Sequence, residues 1–390
     1  MKRYHFLPLL MAWAFFTACE RAEIQPTGLC EPSMSEAHAK ADLYQGVIDE
    51  YTRKGLPGIA VLIRDEDGEW SGASGMADIH RGVPFQVCHV SKVASVTKLF
   101  VGVLVMQLVE DGIFALDDPI HKWLSDKTLK RIANADQVSI RQLLNHTSGI
   151  YDLIDDNAFY LAILNHPGRK WKPDELLEYV RGDDAVFPPG TDVEYSNTNF
   201  LLTAMIIEAA TGQSHATLLR QRILDPLSLS DTYYHWHEGL PDLVAQGYFD
   251  LYNNGNLLEM SNFNTGSGNG YGGLYSTIYD MRTFIEALLR DKTLLSPASL
   301  EEMLTITSED LVSGEAYGVT IRKDFLDRSA DEFGLGHRGR DLAYSADLFY
   351  FPTRDMTISY LVNYGTDAKS ELREVFLRFR EAMVDAMMKK

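Results

Sequence analysis

A hydroxyl and an amine three residues apart, Ser95 and Lys98, open an apolar run from Leu99 to Val109 that ends near Gly112. On a helix that spacing puts both side chains on one face of the first turn. Apolar residues occur all round this run, so the helix should be buried. Burial disfavours the ammonium and can turn Lys98 into a base for the Ser95 proton. The same Ser-x-x-Lys spacing also suits an N-cap followed by a lysine snorkelling to solvent, and it is the company of other residues that favours chemistry.

Tyr195-Ser196-Asn197 follows the turn Phe187-Pro188-Pro189-Gly190-Thr191 and precedes a second apolar helix from Phe200 to Ala210, closed by Gly212. A phenol becomes a useful base only where a cation or helix dipole stabilises its phenolate, which a neighbouring Lys98 would do. Asn197 carries an amide able to bridge Lys98 and a substrate carbonyl. Tyr252-Asn253-Asn254 has the same form but sits in a polar turn beside Gly255 and is set aside. The third group is His337-Arg338-Gly339 in a strand-like stretch from Phe333 to Asp341. The triplets at His80, His166 and His237 match it too, and only order and strand context select His337. There His337 would face the serine, while the backbone N–H of Arg340 would supply half of an oxyanion hole.

These groups need elements to carry them. Ile59 to Ile63 and a run from Trp70 flank the turn Glu66-Asp67-Gly68 as one hairpin. Leu348 to Phe351 and Thr357 to Val362 flank Pro352-Thr353-Arg354-Asp355 as another. Leu372, Val375, Phe376, Phe379 and Met383 form one stripe of a final helix. Strands at both ends with a largely helical middle predict an α+β fold, an antiparallel sheet built from both termini plus a mainly α-helical region. The punctuation at Pro188-Pro189-Gly190, Asn254-Gly255 and Gly266 to Gly273 falls within that middle.

The order Ser95…Lys98, Tyr195…Asn197, His337…Gly339 resembles the penicillin-recognising serine hydrolases, the group of class C β-lactamases, D-alanyl-D-alanine carboxypeptidases, D-aminopeptidases and related esterases. The likeness runs from about residue 40 to 385. Companion segments are Leu108 to Gly112 leading to Leu116-Asp117-Asp118-Pro119, then Leu143-Leu144-Asn145-His146-Thr147-Ser148-Gly149, and Gly272 to Thr277. The resemblance implies that Ser95 is acylated, that Lys98 and Tyr195 move its proton, and that Asn197 and His337 position substrate; it makes the His146 segment structural. The Ser-Asp-Asn and Lys-Thr-Gly triplets of class A β-lactamases are absent. Class C enzymes carry lysine where His337 stands, and histidine is commoner among the peptidases and esterases. The expected activity is therefore acyl transfer on D-amino-acid peptides. A carboxylesterase or β-lactamase of the same fold, or a lipoprotein that binds penicillin or cell-wall fragments without turnover, are the alternatives. Relatives usually continue the third motif with small residues, whereas Arg340-Asp341-Leu342-Ala343-Tyr344 follows here. That departure suggests Arg338 or Arg340 as the partner of a substrate carboxylate.

Composition narrows the setting. The chain of 390 residues has 45% hydrophobic positions and a formal net charge of -19 spread along it, which argues against nucleic-acid or anionic-lipid binding by charge. Lys2-Arg3, an apolar stretch from Phe6 to Phe16 and Thr17-Ala18-Cys19 read as a signal peptide over 1–18, with lipid on Cys19, a linker over 19–36 and one catalytic domain over 37–390. An exported lipoprotein facing the periplasm or cell surface, attached through that lipid and otherwise monomeric, is expected. Cys30 and Cys88 are expected as buried or free thiols rather than a disulfide. Three dispersed cysteines make no zinc site, His235 and His237 lack a ligand set, and no cofactor is expected. No Gly-x-Ser-x-Gly elbow occurs, which disfavours an α/β-hydrolase.

Overall fold

The computed structural model describes residues 23–31, 37–310, 315–366 and 370–389; the expected leader and Cys19 lie outside them. Nine strands make the main sheet: β1 (Gly58–Asp65), β2 (Gly68–Asp78), β3 (Val83–Pro84), β4 (Ser308–Asp310), β5 (Glu315–Tyr317), β6 (Arg322–Asp324), β7 (Gly334–Arg340), β8 (Ser345–Phe351) and β9 (Met356–Val362). The six helices that matter here are α1 (Ala41–Arg53), α2 (Thr97–Glu110), α3 (Asn157–Asn165), α4 (Asn197–Thr211), α5 (Ile278–Leu289) and α6 (Glu371–Met388). The strand order is β3-β2-β1-β9-β8-β7-β6-β5-β4, so a hairpin from the N-terminal part pairs antiparallel with the last strand of the chain. The α+β expectation holds. The edge strands from Ser308 to Asp324, and a small sheet of Ser91–Lys92, Leu274–Ser276 and Tyr233–Tyr234, were not legible in a pattern dominated by helix signals.

Side-chain alternation assigns the two faces of the sheet. Trp70 packs its ring 5.3 Å from Tyr44 of α1, and Tyr360 lies 5.3 Å from Phe379 of α6, so these helices cover one face. On the other face Thr357 donates to Glu286 of α5 at 3.0 Å. Helix α2 is buried on every side, as its lack of a polar stripe requires. Each fully buried Leu or Phe contributes about 1.5–3 kcal/mol, and the cluster they form offsets the cost of enclosing Lys98 in the same helix.

One expectation is corrected. Cys30 and Cys88 form a disulfide with Cα atoms 6.2 Å apart; the proximity comes from tertiary folding across 58 residues, which spacing alone does not reveal. Arg338 and Arg340 line the cavity that Ser95 borders and are each paired with a buried carboxylate. Because His337 and Gly339 face the catalytic helix, the residues between and after them point to the α6 face. There Arg338 pairs through two nitrogens with Asp324, and Arg340 pairs with Asp347 at 2.6 Å, its guanidinium 4.5 Å from the Phe376 ring centre. Arg380 of α6 bridges both carboxylates. Replacing either arginine would leave a buried carboxylate short of a partner.

Candidate active site

Ser95 sits in a single 3-10 turn, Ala94–Val96, that runs into α2. Ala94 adopts φ +48°, an uncommon value for a residue with a side chain, and this bend brings Ser95 to the wall of a cavity of about 270 Å³. Lys98 is fully buried. Its Nζ lies 3.1 Å from Ser95 Oγ, 2.7 Å from Asn197 Oδ1 and 2.6 Å from the carbonyl oxygen of Tyr271. The last two atoms can only accept, so Nζ must donate to both. The serine contact is the one whose direction can reverse, with Oγ giving its proton to a neutral amine.

Asn197, the first residue of α4, is held from both ends. Its Nδ2 donates to Asp152 at 2.9 Å, which fixes Oδ1 toward Lys98 and removes the usual ambiguity of the amide. Asp152 is buried, and burial pushes its carboxyl up to about 6. It also accepts from the N–H of Ile154 at 3.3 Å. Tyr195 lines the cavity, with Nζ of Lys98 4.9 Å from its ring centre. Ser95 and Lys98 from one helical turn and Tyr195 from a distant second segment are thus brought to the same cavity.

His337 is buried on the cavity wall. Its Nδ1 lies 2.5 Å from the carbonyl of Arg338, so that nitrogen carries the proton and Nε2 keeps a lone pair, without a hydrogen-bond partner among the described residues. Burial, followed by the charge of Lys98, lowers its pKa to about 3. His337 is therefore a neutral acceptor. Gly339 is required by close approach: a Cβ there would stand 2.0 Å from the carbonyl oxygen of Val93, just before the nucleophile. The N–H of Asp341 bonds to Tyr344 O at 2.9 Å across the β7–β8 turn. By alternation the N–H of Arg340 points away from β8, along the flank that β6 leaves uncovered beyond Gly336.

Sequence reasoning missed several wall residues. Asp152 and the Tyr271 carbonyl gave no signal beyond lying near the His146 and Gly272 segments. Lys92 and Asp341 form a buried ion pair at 2.5 Å, steadied by Thr265, that closes one side. Ile154, Tyr160 and Ile163, from α3 and the turn before it, make an apolar wall. Arg322 also lines the cavity. It is buried and donates to the Tyr317 hydroxyl, and its Nε is 3.9 Å from Asp324. Arg322, Arg338 and Arg380 all approach Asp324, and Arg340 and Arg380 both pair with Asp347.

Among the described residues no group of His, Cys, Asp and Glu is arranged to hold a metal ion, and no helix is long and apolar enough to cross a membrane. Solved structures similar to the chain include a D-stereospecific amidohydrolase from Streptomyces, with 28% identity, a TM-score of 0.74 and coverage of 87% of this chain and 98% of that one. Another is the D-amino acid amidase from Ochrobactrum anthropi, 25% identical with a TM-score of 0.75, covering 89% and 99%. Among characterised sequences, the D-alanyl-D-alanine-carboxypeptidase/endopeptidase AmpH of Escherichia coli is 24% identical over 79% of this chain and 78% of its own. Esterase EstB of Burkholderia gladioli is 30% identical over 59% of each. The family model described as Beta-lactamase matches residues 41–380, and the chain belongs to that family of serine hydrolases.

Proposed function

We propose that the protein hydrolyses peptides or amides of D-amino acids through an acyl-enzyme on Ser95, preferring substrates with a free carboxylate, as a D-alanyl-D-alanine carboxypeptidase does. The observation that carries the acyl-transfer reading is Lys98 Nζ at 3.1 Å from Ser95 Oγ while two obligate acceptors hold it in place. In this reading Ser95 Oγ attacks the carbonyl carbon as its proton passes to Lys98, with Tyr195 beside the amine as the second member of the relay. The N–H groups of Ser95 and Arg340 hold the oxyanion, and the leaving amine departs with the relayed proton. Water then attacks the ester carbonyl, its proton returns through the same pair, and Ser95 is released.

The preference for a carboxylate rests on the three arginines that line the cavity, Arg322, Arg338 and Arg340. Each is also paired with a buried carboxylate, Arg322 and Arg338 with Asp324 and Arg340 with Asp347, so a substrate carboxylate would join existing pairs. A neutral His337 fits this picture as an acceptor for a substrate N–H. Export in an oxidising compartment, with lipid on Cys19, is part of the proposal and is supported by the Cys30–Cys88 disulfide.

A second reading, an esterase or amidase indifferent to the carboxylate, is favoured by the apolar wall of Ile154, Tyr160 and Ile163. The test compares a D-alanyl-D-alanine peptide with its C-terminal amide, a D-amino acid amide, a p-nitrophenyl ester and a cephalosporin. Carboxypeptidase action predicts kcat/KM higher for the free acid than for its amide, with Arg322→Ala removing the difference. Equal rates for both forms, or faster ester cleavage unaffected by Arg322→Ala, would favour the second reading. Stable labelling by a penicillin without turnover of any of these would mark a non-hydrolytic binder.

A further inference from the structure

The segment His146-Thr147-Ser148-Gly149 forms a buried template on which the loop carrying Tyr195 is laid. Val186 N–H bonds to Gly149 O at 2.9 Å, Gly190 N–H to Thr147 O at 2.8 Å and Glu194 N–H to His146 O at 3.0 Å. Asn134 ties the two runs together by donating to Ser148 O at 2.9 Å and Phe187 O at 2.8 Å. A Cβ at Gly149 would stand 2.0 Å from Phe187 O, so the two backbones touch directly.

His146 makes three contacts around Tyr195 itself. Its carbonyl takes the N–H of the residue before, its Nδ1 takes the N–H of Ser196 after it at 3.1 Å, and its ring lies 4.5 Å from the Tyr195 ring at 31°. An Nδ1 that accepts leaves the proton on Nε2, so the ring is neutral. Burial, then the charge of Lys98, keeps it so. His146 holds φ +61°, a conformation that costs a residue with a side chain but which Asn and Gly adopt readily.

We infer that His146 is a positioning residue for Tyr195: it brackets the phenol through both flanking amides and its own ring, and so sets where the hydroxyl meets Lys98 and Ser95. The inference rests on the role proposed for Tyr195 above, and it goes beyond the structural role that the family resemblance implies for this segment. A group acting only through Tyr195 must lose its effect when the hydroxyl is gone.

The experiment is a double-mutant cycle on the rate of Ser95 acylation by a fluorophosphonate probe, expressed per folded enzyme with urea midpoints measured in parallel. His146→Asn suits the backbone and places Oδ1 where Nδ1 stood, while His146→Gly suits the backbone and has no acceptor. His146→Leu provides a second variant without an acceptor should the glycine variant fold poorly. In otherwise unaltered protein the acceptor-free variants should slow acylation about a hundred-fold, the scale of a misplacement near 1 Å, and His146→Asn should recover most of that. In the Tyr195→Phe background the same substitutions should change the rate by less than about three-fold. Equal losses in both backgrounds, with Tyr195→Phe itself slow, would overturn the positioning role and leave Tyr195 in the mechanism. If Tyr195→Phe acylates at the unaltered rate, the role of Tyr195 falls and the inference with it.

Discussion

Acid should destabilise this protein through its active-site histidine, by an amount the structure sets. In the unfolded chain His337 titrates at its ordinary value of 6.5, and in the fold at about 3. Between those values the unfolded state binds the extra proton, so the stabilisation is fully present above pH 6.5 and is lost as pH falls toward 3. One pKa unit corresponds to about 1.4 kcal/mol, and integrating from pH 7 to pH 5 gives a loss of about 2 kcal/mol from this residue alone. Asp152 acts in the opposite sense, since its pKa is raised from 3.8 to about 6 and the folded state holds the extra proton there. His146 acts in the same sense as His337. Both are present in a His337→Gln variant, so their effects cancel when the two proteins are compared. The assay is urea unfolding by tryptophan fluorescence at pH 7 and pH 5. His337→Gln should lose about 2 kcal/mol less than unaltered protein between the two values. If both lose the same amount, His337 is not held neutral and its assignment as a hydrogen-bond acceptor is wrong.

Other outcomes follow from the same contacts. Gly339→Ala places a methyl 2.0 Å from Val93 O, which should destabilise by about 1–3 kcal/mol and cut kcat about a hundred-fold by driving β7 from the nucleophile turn; unfolding midpoints and turnover check both. Asp152→Asn can no longer serve only as an acceptor for Asn197 Nδ2, so it should free that amide to rotate and lower kcat at least ten-fold with little change in KM, read from steady-state kinetics. Cys30→Ser should lower stability by about 4 kcal/mol in the chain-entropy account, from the 58-residue separation it no longer closes. Adding reductant should have a similar effect on unaltered protein, and no effect in Cys30→Ser.

What could be read in advance was local. Ser95 and Lys98 lie within one helical turn, where sequence spacing is spatial spacing, and Tyr195 to Asn197 are fixed by a helix start. His337 needed strand context, and the same period-two alternation explains why Arg338 and Arg340 meet Asp324 and Asp347 on the face toward α6. Asp152, the Tyr271 carbonyl and Arg322 were not legible, because each reaches the site by chain crossings that leave no periodic trace. Cys30 and Cys88 were misjudged for the same reason, since their pairing depends on where the segment before α1 returns to the body.

The claim on which all of this depends is that Ser95 carries the acyl group. Mass analysis of peptides from protein quenched during turnover of a D-alanyl-D-alanine substrate, or after reaction with a fluorophosphonate, tests it directly. The account predicts the added mass on the peptide containing Ser95 and none in Ser95→Ala, which should also lose turnover. An adduct on another residue, or a Ser95→Ala protein that still turns over substrate at the unaltered rate, would contradict it.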